Sequence, residues 1–312
     1  MRRLLITVAI ACSLFGCRRK GGDPGPDPEG VWLVGEGGMM INVHSDGTSS
    51  DHGLGIDEDL LDIACRGSDS AFVVGARGTF LRTFDGGVEW ESVDVGTRGA
   101  LRSVAAASRE YVVVAGDEGL FLSADSGTTW SRLEKGAFTS VAIDQTGDVI
   151  MALDGVGTVW REDRRAALRQ VLATTATTTA TSLAMSPDGE RAVVIAPGDT
   201  LQVFDAHAGW QPLELGAKLD LHRAWITQAG DIVAVGIGGA VVRVDEERHI
   251  EIQYPLLSDL DAIHLGSNVG YAGGQDGHLM LTYDGGVSWN DVGHLAPRRI
   301  LGIGRIDPLG RY

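Results

Sequence analysis

The chain is 312 residues long and acidic: 42 Asp and Glu stand against 26 Lys and Arg, a formal charge of −16. That balance excludes nucleic acid as the natural partner and disfavours a body lying flat on anionic lipid. Glycine is abundant at 44 residues and charged residues are moderate at 22%, which fits an all-β domain rich in tight turns.

The N-terminus reads as an export signal over residues 1–16. Arg2 and Arg3 supply the charged start, and Leu4 to Phe15 is an apolar run too short to span a bilayer as a permanent helix. It ends in Leu14-Phe15-Gly16-Cys17, which resembles a bacterial lipobox, with Phe15 bulkier than the usual occupant. The resemblance implies that Cys17 is acylated and becomes the first residue of the mature chain. Several acyl chains on one residue anchor stably where one does not. In that pattern an Asp after the Cys favours retention at the inner membrane. Arg18 stands there instead, so a lipid anchor in the cell outer membrane is expected. An ordinary signal peptide that happens to contain Cys17 is the alternative.

Residues 17–30 then carry the lipidated Cys and a Pro/Gly-rich tether, with residues 31–312 left for one folded domain. Arg18, Arg19 and Lys20 either face anionic headgroups or are simply solvated. Cys12 leaves with the signal and Cys17 is acylated. Cys65, left alone, is expected to be a small core residue, with no disulfide in the mature chain.

The domain is organised by repetition. Ser123 to Trp130 (SADSGTTW) has two near-copies, Thr83 to Trp90 (TFDGGVEW) and Thr282 to Trp289 (TYDGGVSW). Each reads as a hairpin tip. The Asp accepts hydrogen bonds from backbone amides, Gly supplies a positive φ, and Trp packs back over the turn. The Asp position recurs about every 40 residues, at Asp46, Asp85, Asp125, Asp163, Asp205, Asp245 and Asp284. A second marker, apolar-x-x-apolar, keeps the same period from Leu60, Leu101, Phe138, Ala180, Leu221, Leu260 and Ile300. Two markers with one period and strand character predict a seven-bladed β-propeller of four-stranded antiparallel blades.

Within a blade the strands are expected in the order A to D. Leu101 to Ala106 is strand A, Tyr111 to Ala115 is B, Leu120 to Ser123 is C, and Trp130 to Leu133 opens D. The middle blades depart from this pattern. One replaces the hairpin motif with Arg161 to Arg165 and carries a Thr-rich run, Thr174 to Thr181, on its outer edge. The next has Ser186-Pro187-Asp188-Gly189 at its A–B turn and Leu201 to Asp205 as strand C; its B–C turn is expected to hold Asp199. Val31 to Gly35 matches strand B without a preceding A, and Ile300 to Ile306 matches A without a following B. Pairing of these N- and C-terminal strands closes the ring and removes two exposed sheet edges.

Ser123 to Trp130 resembles the Asp-box of bacterial neuraminidase (BNR) repeats at every position of S-x-D-x-G-x-T-W. Beyond Gly30 the chain resembles Asp-box propellers of the photosystem II assembly-factor type, through Val31 to Gly35 and Thr79 to Trp90. The resemblance implies the propeller and a protein-binding or assembly role. The Asp-box residues Asp85, Gly87, Trp90, Ser123, Asp125, Gly127, Trp130, Asp284, Gly286 and Trp289 are then structural. A neuraminidase needs an arginine cluster, a Tyr–Glu nucleophile pair and an Asp acid; the early Arg-Ile-Pro signature is absent and only five Tyr occur. The eight His show no paired metal-ligand spacing, and no phosphate-binding or nucleophile-elbow motif is present. No catalytic residue, metal or cofactor is therefore expected, and Asp57-Glu58-Asp59 reads as a solvated acidic loop.

Strand order puts the B–C turns and D–A loops on the face opposite the Asp-boxes. Arg77, Asp117, Glu118, Asp154, Asp276, Arg298 and Arg299 are the candidate binding residues there. Mixed charge with few aromatic rings suits a protein more than a sugar. The expectation is a monomeric, non-enzymatic propeller that binds an envelope protein partner and no nucleic acid. The alternative is a glycan-binding or glycan-hydrolysing protein of the neuraminidase-like superfamily.

Overall fold

The structure, a computed structural model, describes residues 30–164, 168–173, 180–196 and 198–306. They form seven four-stranded sheets, each a blade with antiparallel neighbours throughout. Blade 1 is the split one. Its innermost strand is Ile300–Arg305, followed outward by Val31–Gly35, Met39–Val43 and Ser49–Asp51. Val31 faces Arg305 and Leu33 faces Ile303 across the junction, so the ring closes with strands from both ends of the chain. Blades 2 to 7 follow in order, with inner strands Leu60–Arg66, Leu101–Ala106, Phe138–Ile143, Ser182–Met185, Leu221–Ile226 and Leu260–Leu265.

Burial explains why the second strand is rich in β-branched residues in most blades. Val31–Gly35, Ser70–Gly75, Val112–Gly116 and Ile232–Gly236 are buried at every residue, and both faces of such a strand must be apolar. The core is divided into seven clusters, one for each pair of neighbouring blades. Trp32, Val34, Leu60 and Val73, for instance, join blades 1 and 2. Stability thus rests on contacts between blades, and no blade buries both its faces alone.

The inner strands carry a recurring irregularity. Their pairing shifts by one residue between the first and third positions in blades 2, 3, 4, 6 and 7. Such a bulge re-aims the side chain beside it. In blades 2 to 5 the third residue, counted from Leu60, Leu101, Phe138 and Ala180, turns toward the next blade and accepts a backbone N–H. Asp62 takes that of Val104 (3.0 Å), Ser103 that of Val141 (3.3 Å), Ser140 that of Leu183 (3.2 Å) and Ser182 that of Ala224 (3.4 Å). A hydrogen-bond chain thereby runs around the axis through five blades.

Local expectations needed adjustment. The second strand of blade 3 begins at Val112 and its outer strand at Ser131, each one residue later than the apolar pattern implied. The inner strand of blade 5 starts at Ser182, two residues beyond Ala180. Asp199, expected in a turn, falls within the strand Gly198–Asp205, which starts earlier because the connection before it is short. Cys65 is half-buried: it packs against the core between blades 1 and 2 and also borders the channel on the propeller axis. The outer strand of blade 4 is Leu168–Ala173. Most of the Thr-rich run expected there, residues 174–179, lies outside the described residues, as do the leader, Cys17 and the tether to residue 29.

Candidate functional site

The Asp-box hairpins are self-contained braces. In blade 3 the Ser123 hydroxyl donates to Asp125 Oδ1 (2.8 Å) and accepts the Gly127 N–H (2.8 Å), while Asp125 accepts the N–H groups of Thr128 and Thr129. Thr83, Asp85 and Gly87 repeat this in blade 2, and Thr282, Asp284 and Gly286 in blade 7. These bonds favour the carboxylate. The Thr129 hydroxyl and amide, then the Ser123 hydroxyl, lower the Asp125 pKa to about 2. Trp130 and Trp289 donate their indole N–H to the turn carbonyls of Gly127 and Gly286, as a Trp packed over its own turn should. Trp90 differs: its ring meets Trp32 of blade 1 edge-on at 5.4 Å. Trp130 likewise meets Phe80 of blade 2 at 4.9 Å. Each of these two boxes therefore clamps its blade to the one before, a role that short-range motif reading missed.

Other hairpins use the same acceptor. Asp205 takes the amides of His207 and Ala208, and Asp245 takes the amide of His249 together with its ring Nδ1 (3.0 Å). Glu247 lies beside Asp245 and His249 on this exposed tip.

On the opposite face, the described B–C turns and D–A loops lie side by side. Glu36–Gly38, Ala76–Gly78, Ile237–Gly239 and Gln275–Gly277 are three-residue turns with a left-handed middle residue. The third residue is always a left-handed Gly, because a Cβ there would strike the carbonyl of Ile56, Thr97, Leu256 or Ala296 in the adjoining D–A loop. The B–C turns also donate an amide to the residue just before the inner strand: Ala76 to Asp59, Asp117 to Ala100, Gly155 to Ala137, Ile237 to Asp220 and Gln275 to Asp259, all at 2.9–3.0 Å. Backbone bonds thus tie turn to loop in these five blades.

The seven charged residues expected on this face all lie on it, but they divide by role. Arg299 is bound to Asp261 through two bonds of 2.7 Å, and His222 Nδ1 reaches the same carboxylate at 2.7 Å. Burial alone would raise the Asp261 pKa, yet the hydrogen bonds from His222 and Arg299 outweigh it and hold the carboxyl below its ordinary value. The same bond raises the pKa of His222 against the effect of burial, and raises that of Arg299. Arg298 donates to the Gly37 carbonyl (2.8 Å), Asp117 pairs with Arg102 (2.6 Å), and Asp154 accepts the amides of Val156 and Thr158. These four build the rim. Arg77, paired with Glu58 at 2.9 Å yet 81% exposed, together with Glu118 and Asp276, projects outward.

Sequence reading missed an apolar component. Leu257 is 92% exposed and Val156 80%, with Tyr254 and Ile237 also exposed. Ile237 and Leu257 belong to a turn and a loop that are bonded together, Gly238 N–H to Asp259 Oδ1 at 2.8 Å. In sequence the pair Leu256-Leu257 looks like core; only the tie of this loop to its turn turns Leu257 outward. Charge and exposed apolar side chains on a rigid backbone suit a polypeptide partner.

Comparison with known proteins agrees with the architecture. A structure described as YCF48 bound to D1 peptide superposes with a TM-score of 0.61 at 21% identity, covering 74% of this chain and 81% of that one. YCF48 from Cyanidioschyzon merolae gives 0.59 at 16% identity, over 82% and 86%. No curated protein matches the sequence. The family model for the photosynthesis system II assembly factor YCF48 matches residues 41–295, and the chain belongs to that family.

Proposed function

We propose that this protein is a non-enzymatic propeller, lipid-anchored in the cell envelope, that docks another protein through the face built by its B–C turns and D–A loops. The observation that carries the reading is the rim itself. Four of its charged residues, Arg298, Arg299, Asp117 and Asp154, are spent on holding the loops, so Arg77, Glu118, Asp276, Val156, Ile237 and Leu257 are presented on a backbone that needs no further ordering. Support comes from the family, and from a relative whose solved structure holds a peptide. The anchor at Cys17, with the outer membrane as its site, rests on the lipobox-like Leu14 to Cys17 and on Arg18 after it.

Affinity capture from a solubilised membrane extract tests the docking. Glu118→Lys with Asp276→Lys should lose the partner that the parent chain retains, with an unchanged melting temperature. Equal capture by the variant would remove the reading. The anchor is tested separately with a fatty-acid probe, which should label the parent and not Cys17→Ser; labelling of both would place acylation elsewhere.

A further inference from the structure

The inner strands surround a channel of about 220 Å³ on the propeller axis, and its lining is uneven. At the fourth residue beyond each blade's apolar marker, blades 2 to 5 place Ala64, Ala105, Ala142 and Ala184. Blades 6 and 7 place Trp225 and His264 at the same position. Four consecutive methyl groups therefore face one aromatic wall, and the channel takes the form of a slot. Trp225 is half-buried and meets the His264 ring at 4.8 Å and 62°, so part of the indole is open to the slot.

The two ends differ in chemistry. Toward the rim, Arg223 donates to Asp62 (3.2 Å) and to the Leu301 carbonyl (3.4 Å), and Asp62 also accepts the amides of Ile63 and Val104. That crosspiece has its charges matched and bonded, so it offers nothing to a charged ligand. Toward the other end the lining includes the neutral Gln145, Gln228 and Ser267, and Arg66, whose Nε donates to the Ala106 carbonyl (2.5 Å). The walls between are inner strands with no strand neighbour on their axial side, and such edges carry backbone N–H and C=O groups beyond the amides of Val104, Val141, Leu183 and Ala224 that the preceding blade already holds. An apolar cavity of roughly 150 Å³ admits benzene. A larger slot with one aromatic wall and hydrogen-bonding edges suits a flat ring system that carries donors and acceptors on its perimeter.

We propose that the central channel binds a neutral, planar heteroaromatic molecule of one or two fused rings, stacked on Trp225 against the alanines of blades 2 to 5. This site is separate from the docking face and does not depend on it.

Adenine, neutral and bicyclic with polar edges, is a suitable probe. Titrated into the 15N-labelled protein, it should shift the Trp225 indole N–H and the amides of Ala142 and Ala184 saturably. Ala184→Leu, which projects a side chain into the slot, should weaken binding at least about tenfold with the same melting temperature. Should that variant fold poorly, Trp225→Phe keeps an aromatic ring but shortens the stacking surface, and should weaken binding several-fold. Absence of shifts at Trp225 with millimolar adenine overturns the proposal, as do equal affinities in the parent and both variants.

Discussion

Arg223 and Asp62 stand 161 positions apart and meet across the propeller axis, Nη2 to Oδ1 at 3.2 Å. The guanidinium leaves blade 6, passes blades 7 and 1 and reaches blade 2, because the third residues of the two inner strands between are Ala262 and Gly302. A Cβ on Gly302 would press on Val34 and on the Asp62 backbone. The pair completes the ring of inter-blade bonds where serines no longer supply acceptors. Asp62 thus serves Val104 on one side and Arg223 on the other.

Removing Asp62 should therefore cost more than removing a surface partner. Asp62→Ala leaves the Val104 amide and a half-buried guanidinium without their acceptor. We expect a loss of about 2–3 kcal/mol in denaturant unfolding. Adding Arg223→Met should restore part of that loss, since the stranded charge is gone. A double variant as unstable as the sum of the singles would show the two residues to be independent.

Gly87 tests the clamp between blades. Its φ is +96°, and a Cβ there would enter the Trp32 ring, which is fully buried. Gly87→Ala should cost on the order of 2–4 kcal/mol through strain and overpacking. Gly86→Ala, also left-handed at +78° but with open space around it, should cost distinctly less. Equal losses in chemical denaturation would mean that the box braces only its own turn.

How much of this was legible depended on distance along the chain. The Asp-boxes at Asp85, Asp125 and Asp284 could be read because donor and acceptor lie within four residues. The split blade could be read because Val31 to Gly35 and Ile300 onward each lacked a partner. By contrast, Asp62, Ser103, Ser140 and Ser182 act on the next blade, about 40 residues away. A polar third residue in four successive repeats was the available signal. Arg299 and Asp117 read as free charge on a docking face, because their partners Asp261 and Arg102 are brought near only by the fold.

The His222–Asp261–Arg299 cluster should give the stability curve an alkaline limb. The His222 pKa is raised in the folded state. Its contribution is full below the unfolded value of about 6.5 and is lost as pH rises through the higher folded value. Melting temperature should fall across that window in the parent, and His222→Asn should flatten the fall. An identical slope in both proteins would contradict the assignment.

Asp125 shapes the acid limb with the opposite sign. Its pKa is lowered to about 2 by the Thr129 and Ser123 hydrogen bonds. The stabilisation is present above the unfolded value of about 3.9 and disappears as pH falls toward 2. Asp125→Asn should melt earlier than the parent at pH 6, and the gap should narrow at pH 2. A gap that persists at pH 2 would show that the side chain acts through shape and not through charge.

The docking face carries the functional account, and site-specific photo-crosslinking in intact envelopes tests it most directly. A photoreactive residue at Glu118, Leu257 or Asp276 should give a discrete adduct with one envelope protein. The same residue at Glu89 or Ser126, on the Asp-box hairpins of the far face, should give none. Adducts confined to the hairpin positions would contradict the account.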